Sequence, residues 1–393
     1  MTTPNSFAHI DLAHARAQAG ELVSAHQAGD RRALNRIRWN HPRFRGQSHE
    51  QIHQGEFALA DAEVVVASLH HFDSWAALVE YVDTIAHSPS VLRFELAVDA
   101  VIRGDIDELR AVMARYPDIV RQRSTRAHHS TLLHYVSANG VEDYRQSTPV
   151  NVLDVARLLI DSGAEVDATS EAYGGGSTTL GLASTSAHPR ARGVQIALID
   201  LLLARGARVD GDDTLPTLVR NALANGCPEA AYALASRGAH VHTVYAAAGC
   251  GDAERVRALF DTSPPRERER ALIVAAQQGH RDIVAFLLDR GVDVCASDGM
   301  TALHQASGGG HLGVIDLLVA RGAKLEQMNE YGGTVLSSTL WFAQHVLDEE
   351  FRARDYPRVI EHLVAIGARA DYHPEIAPEI ERVSARARRL AME

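Results

Sequence analysis

From Asp298 to Glu330 the chain alternates polar turns with short apolar stripes. Asp298-Gly299 marks a turn, and Thr301-Ala302-Leu303-His304 opens a short helix that carries the small residues Ala306 and Ser307. Gly308 to Gly310 end it, because glycine takes the left-handed conformation a helix stop needs. A second helix places Val314, Leu317 and Leu318 on one face, and Arg321-Gly322-Ala323 closes it. The same closing glycine recurs at Gly163, Gly206, Gly238, Gly291 and Gly367. Each such helix pair has a face it cannot bury alone, so stability must come from stacking, with polar caps at the ends.

The pattern can be followed along the chain. Residues 11–40 predict a helical pair with Leu12, Leu22, Val23, Leu34, Ile37 and Trp39 as a buried stripe, broken at Gly29-Asp30. That joint recurs at Gly104-Asp105 and Gly251-Asp252, so this pair reads as a divergent first unit. Residues 41–56 are polar and predict a loop; helices follow over Ala58–His70 and Ser74–Ile85, with Trp75 near their joint. Units then become countable. The first spans Leu96 to Val112, the second starts at Thr131-Leu132-Leu133-His134, and the third at Thr179-Leu180. The fourth ends at Gly238-Ala239, and the fifth, a short one, covers Tyr245 to Phe260. The sixth ends at Gly291, the seventh is the stretch above, and the eighth ends at Gly367-Ala368. A final helix, Pro378 to Met392, turns Ile380, Val383 and Leu390 inward.

The seventh unit resembles the ankyrin repeat, a helix–turn–helix–hairpin unit of about 33 residues with a T-P-L-H-x-A signature. Ala302 stands where the proline is usual; the rest of the motif is present. The resemblance covers Val91 to Asp371. The segment ALADAEVVVASLHHFDSWAALVEYV resembles a helical N-terminal extension found on some bacterial ankyrin proteins. The resemblance implies an all-α chain: an α-solenoid of about eight ankyrin-like repeats with helical caps at both ends. Residues 1–90 are the N-terminal extension, 91–373 the array and 374–393 the C-terminal cap. It also implies that His134 and His304, of the T-x-L-H motif, bond to neighbouring backbone. Partner contact is expected on the concave inner helices and hairpin tips, at Tyr135, Tyr173, Tyr245, Gln305, Met328 and Tyr331.

Composition narrows the function classes. Among 393 residues, 46% are hydrophobic and only 6% aromatic, as suits narrow gaps between paired helices. The formal charge of −11 disfavours nucleic-acid binding by the surface as a whole. Lys324 is the only lysine, a bias expected of a GC-rich bacterial genome. Cys227, Cys250 and Cys295 show no paired spacing, which points to a reducing compartment. With no leader-like start and no long apolar run, a soluble cytoplasmic monomer is expected, without cofactor.

Departures from the repeat are where partner-specific chemistry is expected. Insertions occupy residues 141–150, 184–195 and 341–355, the last as a lengthened or extra helix. The first two sit at the same joint of neighbouring units and should touch, bringing Glu142, Asp143 and Tyr144 toward His188, Arg190 and Arg192. They either brace the array or form a polar pocket or docking edge. The tip Tyr173 to Thr178, with three glycines, is either a flexible hairpin or a cradle of backbone amides for an anion.

Catalytic signatures are sparse. His49-Glu50-Gln51-Ile52-His53 fits the H-E-x-x-H pattern of zinc hydrolases, with His70, His71 or Glu63 as a third ligand. Its flanks, Arg45-Gly46-Gln47-Ser48 and Gln54-Gly55, provide no long helix to hold it, and a chain with 21 histidines matches readily by chance. His128-His129 reads as an exposed hairpin tip. Arg31, Arg32, Arg36, Arg38, Arg43 and Arg45 cluster around Trp39 and Phe44, either as a solvated face or as a surface for nucleic acid or an acidic protein. The leading expectation is a non-catalytic scaffold for another protein. The alternative is a small-molecule binder or enzyme at the paired insertions.

Overall fold

The computed structural model describes residues 10–70, 72–139, 146–210, 217–346, 348–371 and 376–392. The fold is all-α, an α-solenoid of stacked helix pairs, and it divides into two compact units, Met1–Leu215 and Pro216–Glu393.

The first unit begins with α1 (Leu12–Gln27) and α2 (Arg31–Asn40). Asp30 caps α2 by accepting from the Ala33 amide at 2.8 Å, as the Gly-Asp joint predicts. Ala33, Leu34 and Ile37 are buried with Ala15, Ala19 and Leu22 of α1. Trp39 departs from the expected stripe: it lies on the opposite face and is 69% exposed. The expected loop over 41–56 is largely folded, into a 3-10 turn at Pro42–Phe44 and α3 (His49–Gln54). The cause is local, a capping box in which Ser48 and Gln51 satisfy each other's amides. α4 (Leu59–Leu69) and α5 (Trp75–His87) follow, then the first repeat, α6 (Pro89–Arg103) and α7 (Ile106–Arg115).

In the second repeat Leu132–Ser137 forms a 3-10 helix, which ends at Ala138 with φ +44°, and α8 (Val152–Asp161) is the outer helix. Every residue of this 3-10 helix is buried, Tyr135 included. His128, expected at an exposed tip, is also buried and meets Tyr135 edge-on, with ring centroids 6.2 Å apart. The third repeat has a two-residue hairpin, β1 (Thr169–Ser170) with β2 (Ser177–Thr178), then α9 (Thr179–Thr185) and α11 (Gln195–Ala204). Its insertion is a short helix, α10 (Ala187–Ala191), rather than a loop.

The second unit holds four regular pairs. These are α12 (Leu218–Ala224) with α13 (Pro228–Ser236), α14 (Val244–Gly249) with α15 (Ala253–Phe260), α16 (Pro265–Gln277) with α17 (Arg281–Asp289), and α18 (Ala302–Gly309) with α19 (Leu312–Ala320). A second hairpin, β3 (Ser297–Asp298) with β4 (Met300–Thr301), precedes α18. The last repeat carries α20 (Val335–His345), an extra helix α21 (Asp348–Arg354) in its insertion, and α22 (Tyr356–Ala365). α23 (Ile376–Ala391) closes the unit, starting two residues earlier than predicted so that Ile376 joins Val383 and Leu390 in the core. Each fully buried leucine, such as Leu287 or Leu318, contributes about 2 kcal/mol.

Inner helices are clasped from the following repeat. Asn151 donates to the Gly104 carbonyl at 2.8 Å, His280 to Gly249 at 3.2 Å, His311 to Gln277 at 3.0 Å, and the Tyr356 hydroxyl to Gly308 at 2.8 Å. These bonds satisfy carbonyls that a helix end leaves without an internal partner. The close approach explains Gly279: its φ is +78°, and a methyl group there would stand 2.6 Å from the His311 ring. At the end of the array the donor is Arg386 of α23. Its guanidinium reaches the Ala343 and Val346 carbonyls and the Asp348 carboxylate, and lies 4.6 Å over the Phe351 ring.

Arg386→Met keeps the apolar stem but strands both carbonyls. It is expected to destabilise the end of the array by about 2 kcal/mol, seen as a lower thermal midpoint and faster proteolysis within α23.

The two T-x-L-H histidines fold as expected. The Thr131 hydroxyl lies 2.8 Å from His134 Nδ1, while Nε2 faces the Ser177 carbonyl at 3.3 Å. His304 repeats this with Thr301 and Gly333, at 2.8 and 3.2 Å. Burial lowers the His134 pKa from 6.5 to about 4, against the pull of the Ser177 and Ala168 carbonyls, and also lowers His304 and His311. An imidazole that resists protonation only when folded lets the unfolded chain bind the proton first. Stability is therefore full above 6.5 and is lost as pH falls toward about 4. A shift of this size corresponds to about 3 kcal/mol. Urea midpoints should fall across that window, and less so in His134→Gln.

Candidate protein-interaction site

The second unit presents its hairpin tips through a fixed polar frame. Asn329 is buried, its side-chain oxygen accepting from the Tyr331 and Gly333 amides at 2.9 Å each, while its amide donates to Ser338 at 2.9 Å. The Glu330 amide then bonds the Gly299 carbonyl of the preceding tip at 3.0 Å. The frame leaves Met328 50% and Tyr331 76% exposed. Glu330 hydrogen-bonds the Tyr331 phenol and raises its pKa.

Beside these tips runs an ionic lattice. Asp298 pairs with Arg266 at 2.6 Å and with Arg270 at 2.7 Å, and Arg266 also donates to the Ser297 carbonyl at 2.8 Å. Arg220 reaches Glu267 at 3.7 Å and lies 5.7 Å over the Tyr245 ring. Tyr245 is half-buried, and burial raises its phenol pKa. Gln305 is half-buried too, with its amide 3.8 Å from the Met300 sulfur.

In the first unit Tyr173 takes φ +55° and is 71% exposed, yet its hydroxyl donates to Asn139 at 2.6 Å. Asn139 in turn donates to the Leu182 carbonyl at 3.0 Å and the Thr185 hydroxyl at 3.1 Å. The tip is thus tied to the preceding repeat's inner helix. A Glu171 carboxylate oxygen lies 3.0 Å from where a Cβ on Gly175 would be, so the chain's own negative charge occupies the approach to the glycine amides. That arrangement disfavours an anion there.

Glu142, Asp143 and Tyr144 lie outside the described residues. The described parts of the two insertions do meet. Arg192 donates to the Thr148 carbonyl at 3.3 Å, and Ser186 donates to the Ala138 carbonyl at 2.8 Å. His188 and Arg190 are half-buried on α10. Gln195 donates to the Ala183 and Ser186 carbonyls at 2.9 and 3.2 Å, while its own carbonyl oxygen is buried without a partner, as are Gln146 Oε1, Thr148 Oγ1 and Thr179 Oγ1. Tyr135, being buried, is removed from the set of surface contacts.

The H-E-x-x-H segment is used differently from a metal site. His49 bonds Asn35 at 2.7 Å, whereas His53 turns away to donate to the His26 carbonyl at 2.9 Å and packs on Gly29. His26 itself donates to the Ile52 carbonyl at 2.7 Å. His53 therefore makes the same kind of clasp as His280 and His311. His53→Ala is expected to destabilise the protein by about 1 kcal/mol and His49→Ala to leave it unchanged, in paired thermal melts. Two ligands of one metal would instead respond alike.

Sequence reasoning missed Arg126. It is buried, donates to the His70 carbonyl at 2.9 Å and stacks 4.3 Å over Phe72, beside Tyr81, whose hydroxyl donates to buried Glu95 at 2.5 Å. Arg126, Phe72 and Tyr81, with Asp73, Glu80 and Thr125, line a hollow of about 300 Å³. An arginine in a polar turn gives no local sign of such burial.

Residues 243–329 match the family model of ankyrin repeats, in three copies. These residues carry ankyrin repeats. Over 174 residues it is 31% identical to the ankyrin repeat and SAM domain-containing protein 6 of Danio rerio, a match covering 43% of this chain and 20% of that one. The chain thus matches about a fifth of that curated relative's length. The crystal structure of the human ASB11 ankyrin repeat domain is similar with a TM-score of 0.35 and 19% identity, over 68% of this chain and 96% of that one. Ankyrin repeats are generally protein–protein interaction modules. Among the described residues no helix is long and apolar enough to cross a membrane.

Proposed function

We propose that this ankyrin array is a non-catalytic scaffold that binds another protein through the tips and inner helices of its second unit, with the Tyr173 tip as a further contact. The observation that carries this is the pair Met328 and Tyr331, held out on a tip whose frame is buried and fully bonded. Aromatic and methionine side chains are enriched at interface cores. A tip already fixed loses little entropy on docking, so its contact area converts well into affinity.

The test is a quantitative pull-down from native cytosol with the full chain, alongside a Met328→Ala, Tyr331→Ala variant and Tyr173→Ala. The tip variant is expected to lose a captured protein about tenfold or more with an unchanged thermal midpoint. Equal capture by all three would remove the tips from the interface. A second reading, a small polar ligand at the insertion joint, draws support from the unpartnered buried oxygens of Gln146, Thr148, Thr179 and Gln195.

A further inference from the structure

Helix α2, RRALNRIRWN, buries Ala33, Leu34 and Ile37 in the core of the first unit. At 100° per residue, Trp39 then falls at the middle of the opposite face, with Arg32 and Arg36 on one flank and Arg31 and Arg38 on the other. The structure agrees: the indole is 69% exposed, and the Arg38 guanidinium stands 5.6 Å over it. Arg45 is exposed in the turn that follows.

Arginines elsewhere in the chain are mostly paired, as Arg205 is with Asp161 at 2.6 Å and Arg321 with Asp289 at 2.7 Å. Among the described residues Arg31, Arg32, Arg36, Arg38 and Arg45 make no ion pair. Four carboxylates on adjoining elements are otherwise engaged. Asp30 caps α2 at 2.8 Å, Asp61 holds Arg43 at 3.1 Å and His41 at 3.4 Å, Glu63 faces Arg16 at 3.8 Å, and Glu50 accepts from Gln54 at 3.2 Å. A chain of net charge −11 thus carries one face of uncompensated positive charge around an exposed tryptophan.

We propose that this face of α2 docks an acidic segment of a partner protein that also carries an apolar side chain to cover Trp39. Tryptophan and arginine are the side chains most enriched at interface hot spots, and charge complementarity selects a negative occupant. The remaining acidic surface repels a polyanion as dense as nucleic acid. The apolar side of α2 is already spent on the core, which leaves Trp39 alone rather than an apolar face to insert into a bilayer.

The test uses the full chain and a short fluorescent peptide of Glu-Glu-Phe repeats, followed by fluorescence polarisation. Controls are the same peptide with Gln for Glu, a single-stranded oligonucleotide, and vesicles rich in phosphatidylserine. The acidic peptide is expected to bind, and the Gln peptide to bind far more weakly. Trp39→Ala and the pair Arg32→Glu, Arg36→Glu are each expected to weaken binding about thirtyfold, with helix content unchanged by circular dichroism. Absence of peptide binding would overturn the proposal, as would equal binding by these variants or by the Gln peptide. Oligonucleotide or vesicle binding at least as tight as the peptide's would overturn it in favour of that surface.

Discussion

A helix ends in carbonyls that nothing inside it can satisfy, and in this chain the missing donor comes from the next repeat. Asn151, His280, His311 and Tyr356 all do this work although they share no chemistry beyond a donor at the right reach. The left-handed glycines that stop the inner helices are the other half of the same constraint, because a Cβ there would occupy the space the clasp needs. Apolar burial supplies most of the free energy of such a stack, but it is indifferent to register. The clasp fixes which residue faces which, and therefore where each hairpin tip points.

The two units use this frame differently. In the second, the inner helices α12, α14 and α16 bury alanine, leucine, valine and isoleucine, while Asn329 and Asp298 organise the polar residues of the tips. In the first, most of the buried polar groups fall between Ser124 and Gln195, where the inner helix of the second repeat is a 3-10 turn and the next tip reaches back to Asn139. Polar interiors specify geometry at some expense in stability. The interior of the first unit is thus the more polar between Ser124 and Gln195.

What could be read from the sequence was what depends on neighbours within one or two turns. The Gly-Asp joints, the leucine stripes and the Thr-His pairs are local, and the helix pairs emerge from them almost residue for residue. What could not be read depends on distant pairing or on helix phase. His53 looks like half of a metal motif until His26, far away in the chain, claims its proton. Tyr135 looks like a concave-face aromatic from the repeat pattern, but the whole 3-10 turn Leu132–Ser137 is buried and Tyr135 with it. Trp39 was counted as core by its hydrophobicity, although one helical step from Arg38 places it in solvent. Ser48 and Gln51 did carry a local signal for α3, masked by the polar run around them.

The clasps made by Asn151, His280, His311 and Tyr356 run one way, from a later repeat to an earlier carbonyl, and give these pairs of repeats a polarity. A duplicated repeat inserted in the middle arrives with its own donor and offers its own carbonyl, so the stack can lengthen without redesign of its neighbours. Loss of a repeat from the front leaves only a side chain facing water, which is cheap. Loss from behind leaves bare carbonyls, and Arg386 of α23 shows how the last inner helix meets that demand with a residue borrowed from outside the repeat pattern. Growth and trimming of such an array over evolutionary time should therefore be permissive at one edge and guarded at the other.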